Sequence, residues 1–285
     1  MIYRLLAINI DKTLLKSNGK LAKETKEAVE YVKNKGIYVT LVTGRNFYSA
    51  QKVAKALKLD SFLVTHGGSF IASKQEQALH VKRITEEKTF NLVQVLENFD
   101  CTVRLMHERY SIGNRLRGAN NLMSRAVLGS NDPLIYPVQF VESLGDTLTD
   151  NPIAPPKIEV YFNSEEEQKA VYNTLTVAFD DIALMNHDKK IEILPAGGTK
   201  FDGLQTLGEV LKISWNEMVY IGDAEDDIPL LDVVGLGVAM WNAPPKVKSA
   251  ADWITRSNDE QGVAYMIKEH FRKQQRLAFL KSFKV

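Results

Sequence analysis

The apolar runs of this chain are too continuous for strands that show one face to water. Residues 3–8 are apolar apart from Arg4, the mark of a strand buried on both faces, as in a parallel sheet. Leu21, Thr25, Ala28, Val29 and Val32 then recur at helical spacing, and Gly36 is a natural stop. Residues 37–42 read as a second strand, 46–57 as a helix and 62–65 as a third strand. Strands alternating with helices predict an α/β fold whose parallel sheet gathers ligands at the carboxyl ends of its strands.

The pattern changes after about residue 80. A helix over 86–99 precedes two alternating segments, 102–107 and 110–115, and a helix over 120–127. A loop-like stretch holding Pro133, Pro137, Pro152, Pro155 and Pro156 comes next. A strand at 158–162, a helix at 164–178 and strands at 182–185 and 191–194 follow. Paired strands with helices on one side predict an α+β module inserted into the first. From Lys200 the alternation resumes, with a helix to Leu211 and strands at 218–221 and 237–240. Arg272, Lys273, Arg276, Lys281 and Lys284 read as the solvated face and end of a last helix.

At 285 residues the chain is comfortable for two domains. Lys plus Arg (36) nearly cancels Asp plus Glu (35), so no whole-molecule field draws nucleic acid or an anionic membrane, and an anionic ligand needs a local site. Cys101 is the single cysteine, which excludes an intramolecular disulfide and fits a reducing compartment. The opening apolar run is too short for a signal-peptide core, and no stretch approaches the ~20 apolar residues that span a bilayer. A cytoplasmic protein is expected.

Four polar segments end or follow apolar runs, which places them on one rim of the sheet. They are Asn9-Ile10-Asp11-Lys12-Thr13-Leu14, Thr43-Gly44-Arg45, Gly198-Thr199-Lys200 and Gly222-Asp223-Ala224-Glu225-Asp226-Asp227. In this order they resemble the four motifs of the haloacid dehalogenase-like (HAD) superfamily, whose first reads Asp-x-Asp-Gly-Thr-Leu. The stretch Gly237–Ala243, Ala251-Asp252 and Gly262-Val263 is similar to the Cof-type sugar-phosphatase branch. The resemblance spans nearly the whole chain. It implies a Rossmann-like parallel-sheet core, residues 1–83 plus 190–285, with a C2-type α+β cap inserted at 84–189.

Phosphoryl transfer needs an in-line oxygen nucleophile, neutralised phosphoryl charge and an acid for the leaving group. By resemblance, position 9 holds the nucleophile and Asp11 the general acid–base. Thr43 and Lys200 contact the phosphoryl oxygens. Lys12, Gly44, Arg45 and Asn242 complete the phosphate and substrate set. Mg²⁺, which prefers oxygen ligands, is held by the side chain at 9, the Asp11 carbonyl, Asp223 and Asp227. Thr43 alternatively caps the helix after it, and Asp223 with Asp227 alternatively caps a helix start.

The departures matter more. Asn9 stands where the nucleophilic Asp belongs, and a neutral amide attacks phosphorus poorly. Losing a nucleophile typically costs on the order of 10³-fold or more. Three explanations remain open: an attenuated or purely binding protein, slow turnover by metal-activated water under Asp11, or an engineered or erroneous residue. Lys12 replaces the usual Gly and adds a cation. Asp226 replaces the usual Asn and restores the charge that Asn9 removes, so the carboxylate charge facing Mg²⁺ is expected to stay the same, as if metal binding were kept while chemistry was not. His66-Gly67-Gly68 replaces Asn-Gly-Ala, so His66 either touches substrate or satisfies a turn. Trp241 replaces a small residue, and either narrows the site or packs in the core.

Caps exclude water and choose substrates. Arg104, His107, Arg109, Arg115, Arg117 and Arg125 are candidates to reach a ligand. The resemblance implies a Mg²⁺-dependent phosphatase of small phosphorylated metabolites such as sugar phosphates, monomeric or weakly dimeric. The alternatives are a non-catalytic metabolite binder and a stress-related interaction protein that keeps only the scaffold.

Overall fold

A computed structural model describes residues 2–74, 77–114 and 136–277. In chain order the first elements are β1 (Leu5–Ile8), α1 (Lys23–Asn34), β2 (Tyr38–Leu41), α2 (Phe47–Ala56), β3 (Leu63–Thr65), β4 (Phe70–Lys74) and β5 (Gln77–Val81). The middle third supplies α3 (Glu86–Leu96), β6 (Cys101–Met106), β7 (Ser111–Asn114), β8 (Val138–Val141), α4 (Leu144–Asp150), β9 (Lys157–Phe162), α5 (Glu165–Ala178), β10 (Ile182–His187) and β11 (Lys190–Pro195). The last are α6 (Lys200–Leu211), β12 (Met218–Gly222), α7 (Ile228–Val233), β13 (Leu236–Ala239), α8 (Pro245–Ser249), β14 (Trp253–Ile254) and α9 (Gly262–Phe271).

Among the described residues the first and last groups share a parallel sheet in the order β14-β13-β12-β1-β2. Alternate side chains of β1 enter different cores. Leu6 and Ile8 pack with Val29, Val32 and Met266, whereas Leu5 and Ala7 pack with Leu204, Leu207 and Leu211. Burial on both faces is why the sequence there carries no polar alternation. The fold is α/β. Val42 bridges to Val64 in parallel and hands the edge to the antiparallel set β3-β4-β5.

The inserted module is a six-stranded sheet, β10-β11-β9-β6-β7-β8, antiparallel except for β7 with β8. One face carries Val103, Leu105, Ile158, Val160, Ile191 and Ile193 against Leu92, Leu96, Val171 and Leu175 of the helices. The other face carries Arg104, Lys157, Glu159, Tyr161, Lys190 and Glu192, the period-two complement of those apolar residues.

Several differences from expectation have local causes. The proline-rich stretch contains β8 and α4, because Pro137 sits ahead of its strand and Ser143 Oγ accepts the Asp146 N–H at 3.1 Å to start the helix. β11 pairs with β9 and β10, although the boundary at 189/190 groups it with the first module. Among the described residues the last helix ends at Phe271, ahead of Arg272, Lys273 and Arg276. The expected helix at 120–127, the arginines 115, 117 and 125, and Lys281 and Lys284 lie outside the described residues. Among the described residues no helix is long and apolar enough to cross a membrane.

Candidate active site

Each polar segment begins where a strand or helix terminus exposes it. After β1 the chain turns through Ile10–Leu14, closed by the Leu15 N–H on the Ile10 carbonyl at 3.0 Å. Lys12 takes φ of 52° there, in the left-handed region. Thr43 follows β2, and its Oγ1 accepts the Arg45 N–H at 3.2 Å, while Asn46 caps α2 through the Ser49 N–H at 2.9 Å. Thr43 is therefore free of the capping role. Lys200 opens α6 behind a reciprocal cap between Thr199 and Asp202. Gly222 ends β12, and a Cβ there would fall 2.3 Å from Asp227 Oδ2.

These turns converge on a cleft of about 1240 Å³ between the parallel sheet and the polar face of the inserted module. Asn9, Asp11, Lys12, Thr43, Gly44, Arg45, Lys200, Asp223 and Asn242 all line it. Asp227 does not. It is fully buried, its Oδ1 accepts Lys200 Nζ at 2.7 Å and the Tyr220 hydroxyl at 2.5 Å, and its Oδ2 accepts the Asp223 and Ala224 N–H groups at 2.9 and 3.0 Å. It positions the lysine and the Asp223 turn instead of facing a ligand.

Asn9, 5% exposed, donates from Nδ2 to Asp223 Oδ1 at 2.9 Å and to the Asp11 carbonyl at 3.2 Å, while its Oδ1 accepts the Ile10 N–H at 2.9 Å. Thr13 Oγ1 donates to the same Asp223 oxygen at 2.6 Å. The exposed Asp11 carboxylate is gripped by Arg45 through Nε at 2.8 Å and an Nη at 2.5 Å, a bidentate pair. Asn242 Nδ2 donates to the Lys12 carbonyl at 2.8 Å and so supports the loop. Asp226 Oδ2 lies 2.9 Å from Lys200 Nζ, and its charge is held there.

Burial pushes the Asp223 carboxyl up to about 6, against the hydrogen bond from Thr13 and with the help of the nearby Asp227 charge. Burial alone would lower Lys200, but Asp226 and Asp227 outweigh it and hold the ammonium above the ordinary lysine value. Burial likewise opposes ionisation of Asp227, and Lys200 overrides it.

The facing wall of the cleft went unread in the sequence. Lys157 Nζ donates to the Gly44 carbonyl at 2.6 Å, Glu159 at 2.7 Å and Glu192 at 3.2 Å. Tyr161 donates to Glu159 at 2.7 Å and Lys190 to Glu192 at 2.5 Å. Burial raises the Glu159 carboxyl, but Lys157 and Lys190 bring it down to about 2. The signal was present: Lys157-Ile158-Glu159-Val160-Tyr161 and Lys190-Ile191-Glu192-Ile193 alternate charge with apolar residues. Of the arginine and histidine candidates, Arg104 lines the cleft. His107 stacks on Tyr110, ring centroids 4.6 Å apart, and it and Arg109 do not line the cleft. His66 is buried away from the cleft with Nδ1 3.3 Å from Thr65 Oγ1. Trp241 neither narrows the cleft nor enters the core: it is 62% exposed with Lys248 over its ring.

A divalent cation at this place needs converging oxygen lone pairs. Asp223 and the Asp11 carbonyl offer them, but Asn9 presents amide hydrogens to both. Among the described residues no three His, Cys, Asp or Glu side chains gather around a point that could hold a metal ion. As arranged, the donor set does not fit Mg²⁺.

The parallel sheet, its rim of four segments and the inserted sheet define a HAD-type hydrolase scaffold. The chain belongs to the haloacid dehalogenase-like hydrolase family, whose model matches residues 6–267. It is 52% identical to the stress response protein YhaX of Bacillus subtilis (strain 168) over 99% of this chain and 98% of that one. It is 28% identical to the 5-amino-6-(5-phospho-D-ribitylamino)uracil phosphatase YcsE of the same organism, over 93% of this chain and 94% of the relative. A solved haloacid dehalogenase-like hydrolase from B. subtilis shares the fold at TM-score 0.81 and 23% identity, covering 94% of this chain and 99% of that one.

Proposed function

We propose that this chain is a receptor for a small phosphorylated metabolite, such as a sugar phosphate, built on a phosphatase scaffold with hydrolysis suppressed. The observation that carries this reading is the state of the two reacting positions. Asn9 is a neutral amide whose Oδ1 is taken by the Ile10 N–H, and the Asp11 carboxylate is held by Arg45. Neither an attacking oxygen nor a free acid–base group is offered. Thr43, Lys200 and Lys12 still line the cleft and suit a phosphoryl group. The inserted module acts as a C2-type cap, and its Arg104, Glu159, Tyr161, Lys190 and Glu192 meet the rest of the ligand. Named phosphatase relatives, one acting on a phosphorylated ribityl compound, support the substrate class. A cytoplasmic monomer or weak homodimer with no nucleic-acid or membrane partner fits the near-neutral charge.

A second reading is a slow phosphatase, and it carries the Mg²⁺ dependence expected of the family. The side chain of Asp11 favours it, being exposed at 57% and reachable from the cleft. Phosphate release from a panel of phosphorylated metabolites, wild type beside Asn9→Asp in MgCl₂, separates the two. The receptor reading expects release from the Asp variant only, with wild type slower by on the order of 10³-fold or more. Equal release from both proteins refutes the role given to position 9.

A further inference from the structure

Three contacts fix which way the Asn9 amide faces. Nδ2 meets two acceptors, Asp223 Oδ1 and the Asp11 carbonyl, and Oδ1 meets one donor, the Ile10 N–H. Turning the amide over would set lone pairs against lone pairs and hydrogens against a hydrogen. The two oxygens that would otherwise converge on a cation are thus tied together by amide hydrogens, and Thr13 adds a second hydrogen on Asp223 Oδ1.

Lys12 is the second observation. The left-handed region disfavours a side chain, yet Lys12 stands there with φ of 52°, as Lys58, Lys189 and Lys212 do elsewhere. It lines the cleft, and Asn242 holds its carbonyl at 2.8 Å. The other cations of the core rim are committed: Arg45 to Asp11, and Lys200 to Asp226 and Asp227. Among the described residues no carboxylate pairs with Lys12.

We infer that Asn9 and Lys12 together replace the divalent cation, the amide by cross-linking Asp223 to the Asp11 carbonyl and the ammonium by supplying positive charge, so that this cleft binds a phosphomonoester dianion without metal. The inference rests on the phosphomonoester reading of the cleft. Asp226 adds one negative charge, but Lys200 holds it, and the Lys12 charge stays directed at the ligand.

Isothermal titration with inorganic phosphate, in EDTA and in MgCl₂, tests it, with MgCl₂ titrated alone as a separate arm. Wild type is expected to bind phosphate equally in both buffers and to give no heat with MgCl₂ alone. Asn9→Asp is expected to bind Mg²⁺ and to require it for phosphate. Lys12→Gly relaxes the turn, so its folding is not in question, and it should bind phosphate about tenfold more weakly in EDTA. Asn9→Ala, as a second variant at that position, should bind phosphate more weakly without acquiring Mg²⁺ binding. Phosphate binding by wild type that needs Mg²⁺ overturns the inference and leaves the phosphomonoester reading standing. Full-strength binding by Lys12→Gly overturns it too. No phosphate binding in either buffer, by protein with an intact melting transition, overturns both.

Discussion

Asp223 lines the cleft with Asn9 and Thr13 as donors, and burial still lifts its pKa to about 6 from an ordinary 3.8. Between those values the native state holds a proton that the unfolded chain has released. The stability this group contributes is therefore full below 3.8 and lost as pH rises through about 6. Asp223→Asn keeps an acceptor for both donors and removes the charge. In EDTA at pH 8 it should stabilise the protein by about 2–3 kcal/mol in urea unfolding, and the gap should narrow toward pH 5. A gap that widens in acid would contradict this assignment. The segment of Asp223 was legible as one that reaches the cleft, and Asn9 was legible as an anomaly. Asp227 was misplaced among the metal ligands because the Tyr220 and Lys200 donors that saturate it come from other segments.

At the scale of elements, β9 and β11 bring three charges into the interior around Lys157, whose side chain is 1% exposed. Its three donors meet three acceptors, Gly44, Glu159 and Glu192. Lys157→Met would keep the apolar stem and leave Glu192 with Lys190 but Glu159 with only the Tyr161 hydroxyl, a loss of about 3–5 kcal/mol in denaturant unfolding at neutral pH. Adding Glu159→Gln should recover part of it, because the carboxylate that has lost its ammonium partner becomes a neutral amide. A Met variant as stable as wild type would show that the carboxylates find other partners. These strands were legible as strands, since their apolar residues recur every second position. Their polar face was not read as a site, and nothing within residues 191–194 says which sheet the strand joins. The core was more legible because runs such as residues 3–8 admit few environments other than two-sided burial. β8 and α4 were hidden by prolines that flank them without interrupting them.

For the whole molecule, the cleft exists only while the inserted module stays against the parallel sheet. The contacts that hold it include Lys157 on the Gly44 carbonyl at 2.6 Å, Ser69 on the Pro156 carbonyl at 2.8 Å and the Tyr48 ring against Tyr136. Gly44 sits at a close approach, where a Cβ would lie 3.3 and 3.4 Å from the two Glu192 carboxylate oxygens. Alanine there is tight, and a branched side chain would press on the Glu192 carboxylate and push the two modules apart. Overpacking costs about 1–3 kcal/mol, and at this position it falls on the closed arrangement and not on either hydrophobic core. Gly44→Val should therefore unfold in urea near the wild-type midpoint yet scatter X-rays with a larger radius of gyration. Its phosphate affinity should drop on the order of tenfold, because Thr43 and Lys200 would no longer face the wall that encloses the ligand. Unchanged scattering together with unchanged binding would mean that closure of this cleft does not depend on the absence of a side chain at residue 44.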